Sequence, residues 1–184
     1  MDNWEALEQA CLQCDKCKLC IGRTNVVFGV GNRNADILFV GEGPGEQEDL
    51  QGEPFVGPAG KLLDSMLSII DLDRTKVYIA NIVKCRPPMN RDPQDDEQDA
   101  CIDYLRKQVA LIQPKIIVCL GRIAAMRLIR PDYKITAEHG QFVRKGDFLM
   151  TAVFHPAALL RDPRRKEDMF ADMKNIKAIL DEEE

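Results

Sequence analysis

Residues 36–41 read DILFVG, and three later stretches share their character: 77–83 (VYIANIV), 115–120 (KIIVCL) and 148–154 (FLMTAVF). Each is a short, almost unbroken apolar run rich in β-branched residues, the pattern of a strand covered on both faces. Helical patterns lie between them. Segment 58–70 (PAGKLLDSMLSII) opens on Pro58, which suits the first helical position. Segment 93–112 also opens on a proline and spaces Cys101, Ile102, Leu105, Val109 and Ile112 along one face. Residues 121–130 (GRIAAMRLIR) follow the third strand, 163–180 close the chain, and 1–20 read as a short amphipathic helix feeding a run of cysteines. Strands alternating with helices predict βαβ units with right-handed crossovers, hence an α/β fold with a four-stranded parallel sheet flanked by helices.

With 184 residues, 45% apolar and 30% charged, the chain suits one globular domain over 1–184 and excludes collagen, coiled coil and disorder. No apolar run approaches the roughly 18 residues of a membrane span. The opening MDNWEALEQACLQC carries acids where a secretory signal has a basic start, so a soluble cytoplasmic protein with no membrane partner is expected. The net charge of −5 hides a split. Residues 122–166 hold ten Lys/Arg against four Asp/Glu, a local +6, whereas residues 181–184 (DEEE) form an acidic tail. The basic segment permits a phosphate-binding face without requiring one.

Four of the seven cysteines form one run, Cys11-x2-Cys14-x2-Cys17-x2-Cys20, while Cys85, Cys101 and Cys119 are dispersed. Without a secretory signal such spacing reads as metal ligation rather than cross-linking. A four-thiolate zinc site and an iron–sulfur cluster both fit. The run is similar to the bacterial ferredoxin pattern but ends with x2 spacing and Ile21, where that pattern has x3 and a proline. Cys119, inside KIIVCLG, reads as a small core residue.

Ligands of open α/β sheets bind beyond the carboxyl ends of the strands. That rule singles out Glu42, Asn81, Gly121 and His155. GEGPGEQED (41–49) lacks the last glycine of a dinucleotide fingerprint, and GPAGKLL is not a P-loop, because Leu62 follows Lys61. The four acids of GEGPGEQED (Glu42, Glu46, Glu48 and Asp49) disfavour phosphate and suit a planar neutral ligand or a developing positive charge. Phe55, between Gly and Pro residues, is either a core aromatic or a stacking platform. Asn81 needs its amide satisfied inside a strand, and such an amide can read the donor–acceptor edge of a base. His139 sits in an HG turn expected to be exposed. His155, straight after a strand, could hydrogen-bond a ligand or move a proton.

GEGPGEQED, PFVGPAGKLLD (54–64), NIVKCRPPMNRDP (81–93) and HPAALLR (155–161), in this order over roughly residues 10–180, resemble the family-four, iron–sulfur uracil-DNA glycosylases. The resemblance implies a three-layer fold around a four-stranded parallel sheet and excision of uracil from DNA as the first step of base excision repair. It implies a 4Fe–4S cluster on Cys14, Cys17, Cys85 and Cys101, the register being set by Leu19 and Arg23-Thr24, with residues 1–24 as a cluster-binding segment and Cys11 and Cys20 as extras. Phe55 would stack on a flipped uracil, Asn81 would pair with its Watson–Crick edge, backbone N–H groups at Gly41 to Gly43 would bind a carbonyl, and Glu48 would stand near C5. His155 would donate to O2 of the leaving base while Glu42 steadies the cationic sugar and orients water. Leu159 or Leu160 would wedge into the gap, with Arg161, Arg164, Arg165 and Lys166 on phosphates. A related branch traps DNA through a His near the second strand; residues 81–92 here contain none, so turnover is expected. The implied partner is uracil-containing DNA, single- or double-stranded, met by a monomer of prokaryotic type. The rivals are a non-catalytic iron–sulfur binder of nucleic acid and a zinc-stabilised domain.

Overall fold

Strand residues alternate strictly between two packed faces, which is what unbroken apolar runs require. The computed structural model describes residues 3–183; Met1 and Asp2 of the expected N-terminal segment and Glu184 of the acidic tail lie outside the described residues. The four expected strands are present as β2 (Ile37–Gly41), β3 (Tyr78–Asn81), β4 (Ile116–Leu120) and β6 (Phe148–Val153). They pair in parallel in the order β3-β2-β4-β6. One correction applies: the sheet is six-stranded and mixed. The two residues of β1 (Val30–Gly31) lie antiparallel to β3, and β5 (Val143–Lys145) lies antiparallel to β6. β1 is too short to carry a period. β5 is exposed along its length, so it has no apolar run to betray it.

One face of the sheet, including Leu38, Val40, Ala80, Ile117, Cys119 and Ala152, packs with Trp4, Leu7, Cys101 and Leu105. The other, including Ile37, Phe39, Ile79, Val118 and Val153, packs with Leu63, Met66, Met173 and Ile176. Helices α1 (Trp4–Leu12), α5 (Asp95–Ile112) and α6 (Arg122–Leu128) therefore cover the first face, and α4 (Pro58–Ile69), α8 (Pro156–Arg161) and α9 (Lys166–Glu182) the second. Cys119 is a core residue, as read.

The expected single helix over 1–20 is interrupted. α1 stops at Leu12, and the chain turns through Cys14 and Cys17 before a short α2 (Leu19–Gly22). The stretch 163–180 is also subdivided, into a 3₁₀ turn at Pro163–Arg165 and α9. Two further short helices, α3 (Glu46–Gln51) and α7 (Ile135–Glu138), have no apolar period to announce them. No helix among the described residues is long and apolar enough to cross a membrane.

The loop between α3 and α4 is held from below. Arg74 donates to the carbonyls of Pro54 (2.9 Å), Phe55 and Gly60 and to Asp64 (2.6 Å). A Cβ on Gly60 would overlap the Phe55 carbonyl. Alanine normally exceeds glycine in a helix by about 1 kcal/mol. Here Gly60→Ala is expected to lower the unfolding free energy by about 1–3 kcal/mol, as overpacked sites do. Urea denaturation checks this, and an unchanged midpoint would show that the loop yields.

Candidate active site

β2 sits where the chain reverses direction across the sheet: β3 lies on one side of it and β4 on the other. Crevices at such reversals, beyond the carboxyl ends of the strands, are where α/β sheets bind ligands. A cavity of about 480 Å³ opens there, lined among others by Glu42, Gly43, Glu48, Arg122, His155 and Arg161.

Parallel pairing sets Gly41 beside Asn81. A Cβ on Gly41 would collide with Asn81 Oδ1 and stand 2.8 Å from Phe55 Cζ, so only glycine lets these two side chains meet. Phe55 is buried, with φ at +55°, and its ring lies 5.5 Å from that of His155. Asn81 is 2% exposed, and its Oδ1 has no hydrogen-bond partner. An unpaired buried acceptor costs about 1–3 kcal/mol. Among the described residues only Thr151 Oγ1, inside β6, shares that condition.

Glu48 lines the cavity, yet its carboxylate is engaged. Oε1 accepts from the Gly45 N–H (3.0 Å), and Oε2 accepts from Val56 (3.0 Å) and Gly57 (3.3 Å). It caps α3 and braces the loop that carries Phe55. The buried Asp49 ties in the N-terminal segment, accepting from the Thr24 and Asn25 N–H groups at 2.8 and 3.2 Å.

The two candidate titrating groups are pushed in opposite senses. Burial raises the Glu42 carboxyl above its ordinary value, Asp92 adds to this, and the Ile123 N–H at 3.2 Å, Arg122 and Arg161 oppose it. Burial, assisted by the Arg161 charge, lowers His155 to about 4. His155 Nδ1 accepts from the Ala157 N–H at 3.0 Å as the cap of α8. The neutral ring therefore carries its proton on Nε2.

Of the expected DNA contacts, Leu159 requires correction. It is 0% exposed within the core, because α8 turns that side chain against α4, whereas Leu160 is 45% exposed. Arg161 reaches the cavity; Arg164 is paired with Asp162 at 2.9 Å, and Arg165 with Asp168 at 3.3 Å. His139 is not an exposed turn residue. Its Nδ1 lies 2.7 Å from Asp172 and its ring 4.8 Å from that of Phe154, because α7 folds back onto β6.

Six of the seven cysteines, Cys119 excepted, surround a second void between α1, α2, α5 and the chain leaving β3. N–H groups point at three of the sulfurs: Lys16 N at Cys14 (3.5 Å), Lys84 N at Cys101 (3.3 Å) and Arg23 Nη1 at Cys85 (3.5 Å). Among the described residues no three or more His, Cys, Asp or Glu side chains converge as the ligands of a single ion do. Lys84, fully buried against this void and donating to Gln108 Oε1 at 2.7 Å, escaped the sequence reading, as did Arg74. A lysine inside NIVKC and an arginine in DLDRTK give no local signal, because their roles depend on distant carbonyls and amides.

The uracil DNA glycosylase superfamily profile matches residues 28–176. The chain is 45% identical to a "Type-4 uracil-DNA glycosylase" of Archaeoglobus fulgidus, an alignment covering 96% of this chain and 92% of the relative. It is 43% identical to the protein so named from Sulfurisphaera tokodaii, over 97% and 86% of the two chains. The corresponding protein of Thermotoga maritima is 40% identical, over 97% and 95%. Likeness along nearly the whole length, on a sheet whose carboxyl ends enclose this cavity, leads to one conclusion: the chain belongs to the uracil DNA glycosylase superfamily, among its type-4 members.

Proposed function

We infer that this chain is a DNA-repair hydrolase that excises uracil from DNA by cleaving the N-glycosidic bond, leaving an abasic site. The observation that carries the reading is the buried, unpartnered Oδ1 of Asn81 beside Phe55. Uracil presents an N3–H donor next to the O4 acceptor; a carboxamide offers oxygen to the first and nitrogen to the second. Cytosine reverses both, and each mismatched buried group would cost about 1–3 kcal/mol. The base would leave the duplex to reach this pocket. Phe55 would stack on it, Gly41 and Gly43 would let backbone approach a carbonyl, and Glu48 would bound the cavity near C5 while bracing the Phe55 loop.

As the C1′–N1 bond breaks, uracil takes the electron pair and the sugar becomes cationic. His155 would donate its Nε2 proton as a hydrogen bond to O2, stabilising the departing anion without itself carrying charge. The Glu42 carboxylate would face the cation and take a proton from the water whose oxygen bonds to C1′. Leu160 would fill the gap in the stack, Arg161 and Lys166 would meet phosphates, and Arg164 and Arg165 would do so once their ion pairs with Asp162 and Asp168 exchange. The enzyme is read as a cytoplasmic monomer acting on single- or double-stranded DNA.

For the cysteine void we propose a 4Fe–4S cluster held by Cys14, Cys17, Cys85 and Cys101. The donor set fits: thiolates are strong acceptors for the N–H groups already aimed at three of these sulfurs, where neutral thiols are weak ones. A zinc ion needs four donors converged at about 2.3 Å, which is not found among the described residues, whereas Cys14, Cys17, Cys85 and Cys101 line one void and would hold a cluster as thiolates. Bound there, it would supply a cross-link between the N-terminal segment, the chain after β3 and α5.

Incubating the protein with an oligonucleotide carrying one deoxyuridine, followed by alkali, should cut at uracil and spare thymine and cytosine controls. Asn81→Ala should reduce that cleavage at least about a hundredfold, as loss of a reading group does. Intact uracil strands with the wild-type protein would overturn the reading.

The acid limb of kcat/KM is expected above the ordinary Glu value of 4.5, because the Glu42 pKa is raised and activity needs the carboxylate. Glu42→Gln should remove both the limb and most of the activity. His155 adds no limb near neutrality. It does add an acid instability: the unfolded chain takes up its proton near 6.5, the folded one only near 4. Stability is therefore lost as pH falls through that window, and melting temperatures should show a smaller acid loss for His155→Gln.

Cys85→Ala should abolish stoichiometric iron and sulfide in the purified protein. Full retention of both would show that the ligand set is wrong.

A further inference from the structure

Residues 87–93 form one rim of the cavity, through Pro87, Asn90, Arg91 and Asp92, and α8 forms another through Ala157, Ala158 and Arg161. From the first rim projects Met89, 93% exposed and in neither core cluster. Its φ is +54° and that of Asn90 is +56°, two consecutive non-glycine residues in the left-handed region. Asparagine enters that region readily, whereas methionine is held there only under strain.

The strained turn is firmly held. Arg86 Nε donates to Asn90 Oδ1 at 2.8 Å, and the Asn90 and Arg91 N–H groups donate to the Pro87 and Pro88 carbonyls at 3.1 and 3.2 Å. Arg91 grips the carboxylate of Glu97 with two bonds of 2.8 and 2.7 Å, and Arg122 holds Asp92 at 2.6 Å. A rigid, strained turn whose neighbouring residues line the cavity thus presents a bare apolar side chain to solvent, where packing calls for neither the strain nor the exposure. Strain of this kind persists where function fixes it.

We propose that Met89 is a DNA wedge, entering the duplex beside the flipped nucleotide from the 87–93 rim, in addition to Leu160 on α8. This rests on the excision reading above. A base that leaves the stack opens a gap, and an apolar side chain that fills it keeps the duplex kinked and the base out. The unbranched thioether can follow an irregular gap. Arg122 and Arg161 beside the two rims would meet the phosphates flanking the gap. With a wedge at each rim, the stack would be held open by two side chains.

The test compares excision from double- and single-stranded deoxyuridine oligonucleotides of the same sequence by wild type, Met89→Gly, Met89→Ala and Met89→Leu. Glycine accepts the positive φ, so that variant keeps the fold, which its melting temperature verifies. Met89→Gly and Met89→Ala should lower the double- to single-strand ratio of kcat/KM about tenfold, and Met89→Leu should restore most of it. A ratio unchanged in both truncations would overturn the wedge. A second readout needs no cleavage: 2-aminopurine placed next to the uracil should brighten less on binding Met89→Gly than on binding wild type, and equal brightening would also overturn the proposal. Failure of the wild-type protein to excise uracil from either strand would strike the function reading instead, and the fluorescence would still judge the wedge.

Discussion

At the carboxyl end of β2 there is no room for a Cβ. Parallel register sets Gly41 against Asn81, and the Phe55 ring closes over the same spot, so a missing methyl group is what brings a carboxamide and an aromatic face together. The surroundings follow from that contact. The loop that delivers Phe55 must turn back with a positive φ, and it is held from both ends. Arg74 gathers its carbonyls while the Glu48 carboxylate gathers its N–H groups. Two charged side chains in plain helix and loop sequence thus hold the loop that sets Phe55 against Asn81.

The electrostatics of the cavity act on two groups whose ordinary pKa values lie about 2 pH units apart in water. Burial is the largest influence on both, and because it penalises the charged form of each it moves their pKa values toward one another. It disfavours the carboxylate of Glu42 and the imidazolium of His155, raising the one and lowering the other. The Ala157 N–H then fixes the tautomer, and the Ile123 N–H holds the carboxylate oxygen at the β4 end. A neutral donor and an anion a few residues from the same sheet edge are what a departing uracil anion and a cationic sugar would require.

The cysteine void and the cavity are joined by a single stretch of chain. Four residues past Asn81 lies Cys85, four further on lies Met89, and Cys101 follows on α5. Whatever fixes Cys85 also fixes the exit of β3 and the rim that follows it. A cluster there would stabilise the site without taking part in its chemistry. The buried Lys84, bonded to neutral Gln108, lies against sulfur on that path, where thiolates would balance its charge.

The order of strands and helices, the four strand-end residues and the cysteine run were legible because each is a local pattern: an apolar run, a proline at a helix start, a residue just past a strand. The antiparallel edges β1 and β5 were not, since edge strands half in solvent need no apolar period. The two adjacent leucines of HPAALLR could not be told apart in sequence, and only the rotation of α8 against α4 buries Leu159 and exposes Leu160. Likewise the sequence marked Glu48 as an acid near the site, but its engagement with the Val56 and Gly57 N–H groups depends on a loop folding back across eight or nine residues. What sequence alone determined was which residues lie at the ends of strands, because backbone periodicity is set by neighbours. Which of them face one another, which are already engaged and which atom is left without a partner was decided by tertiary packing, because those contacts are made between residues far apart in the chain.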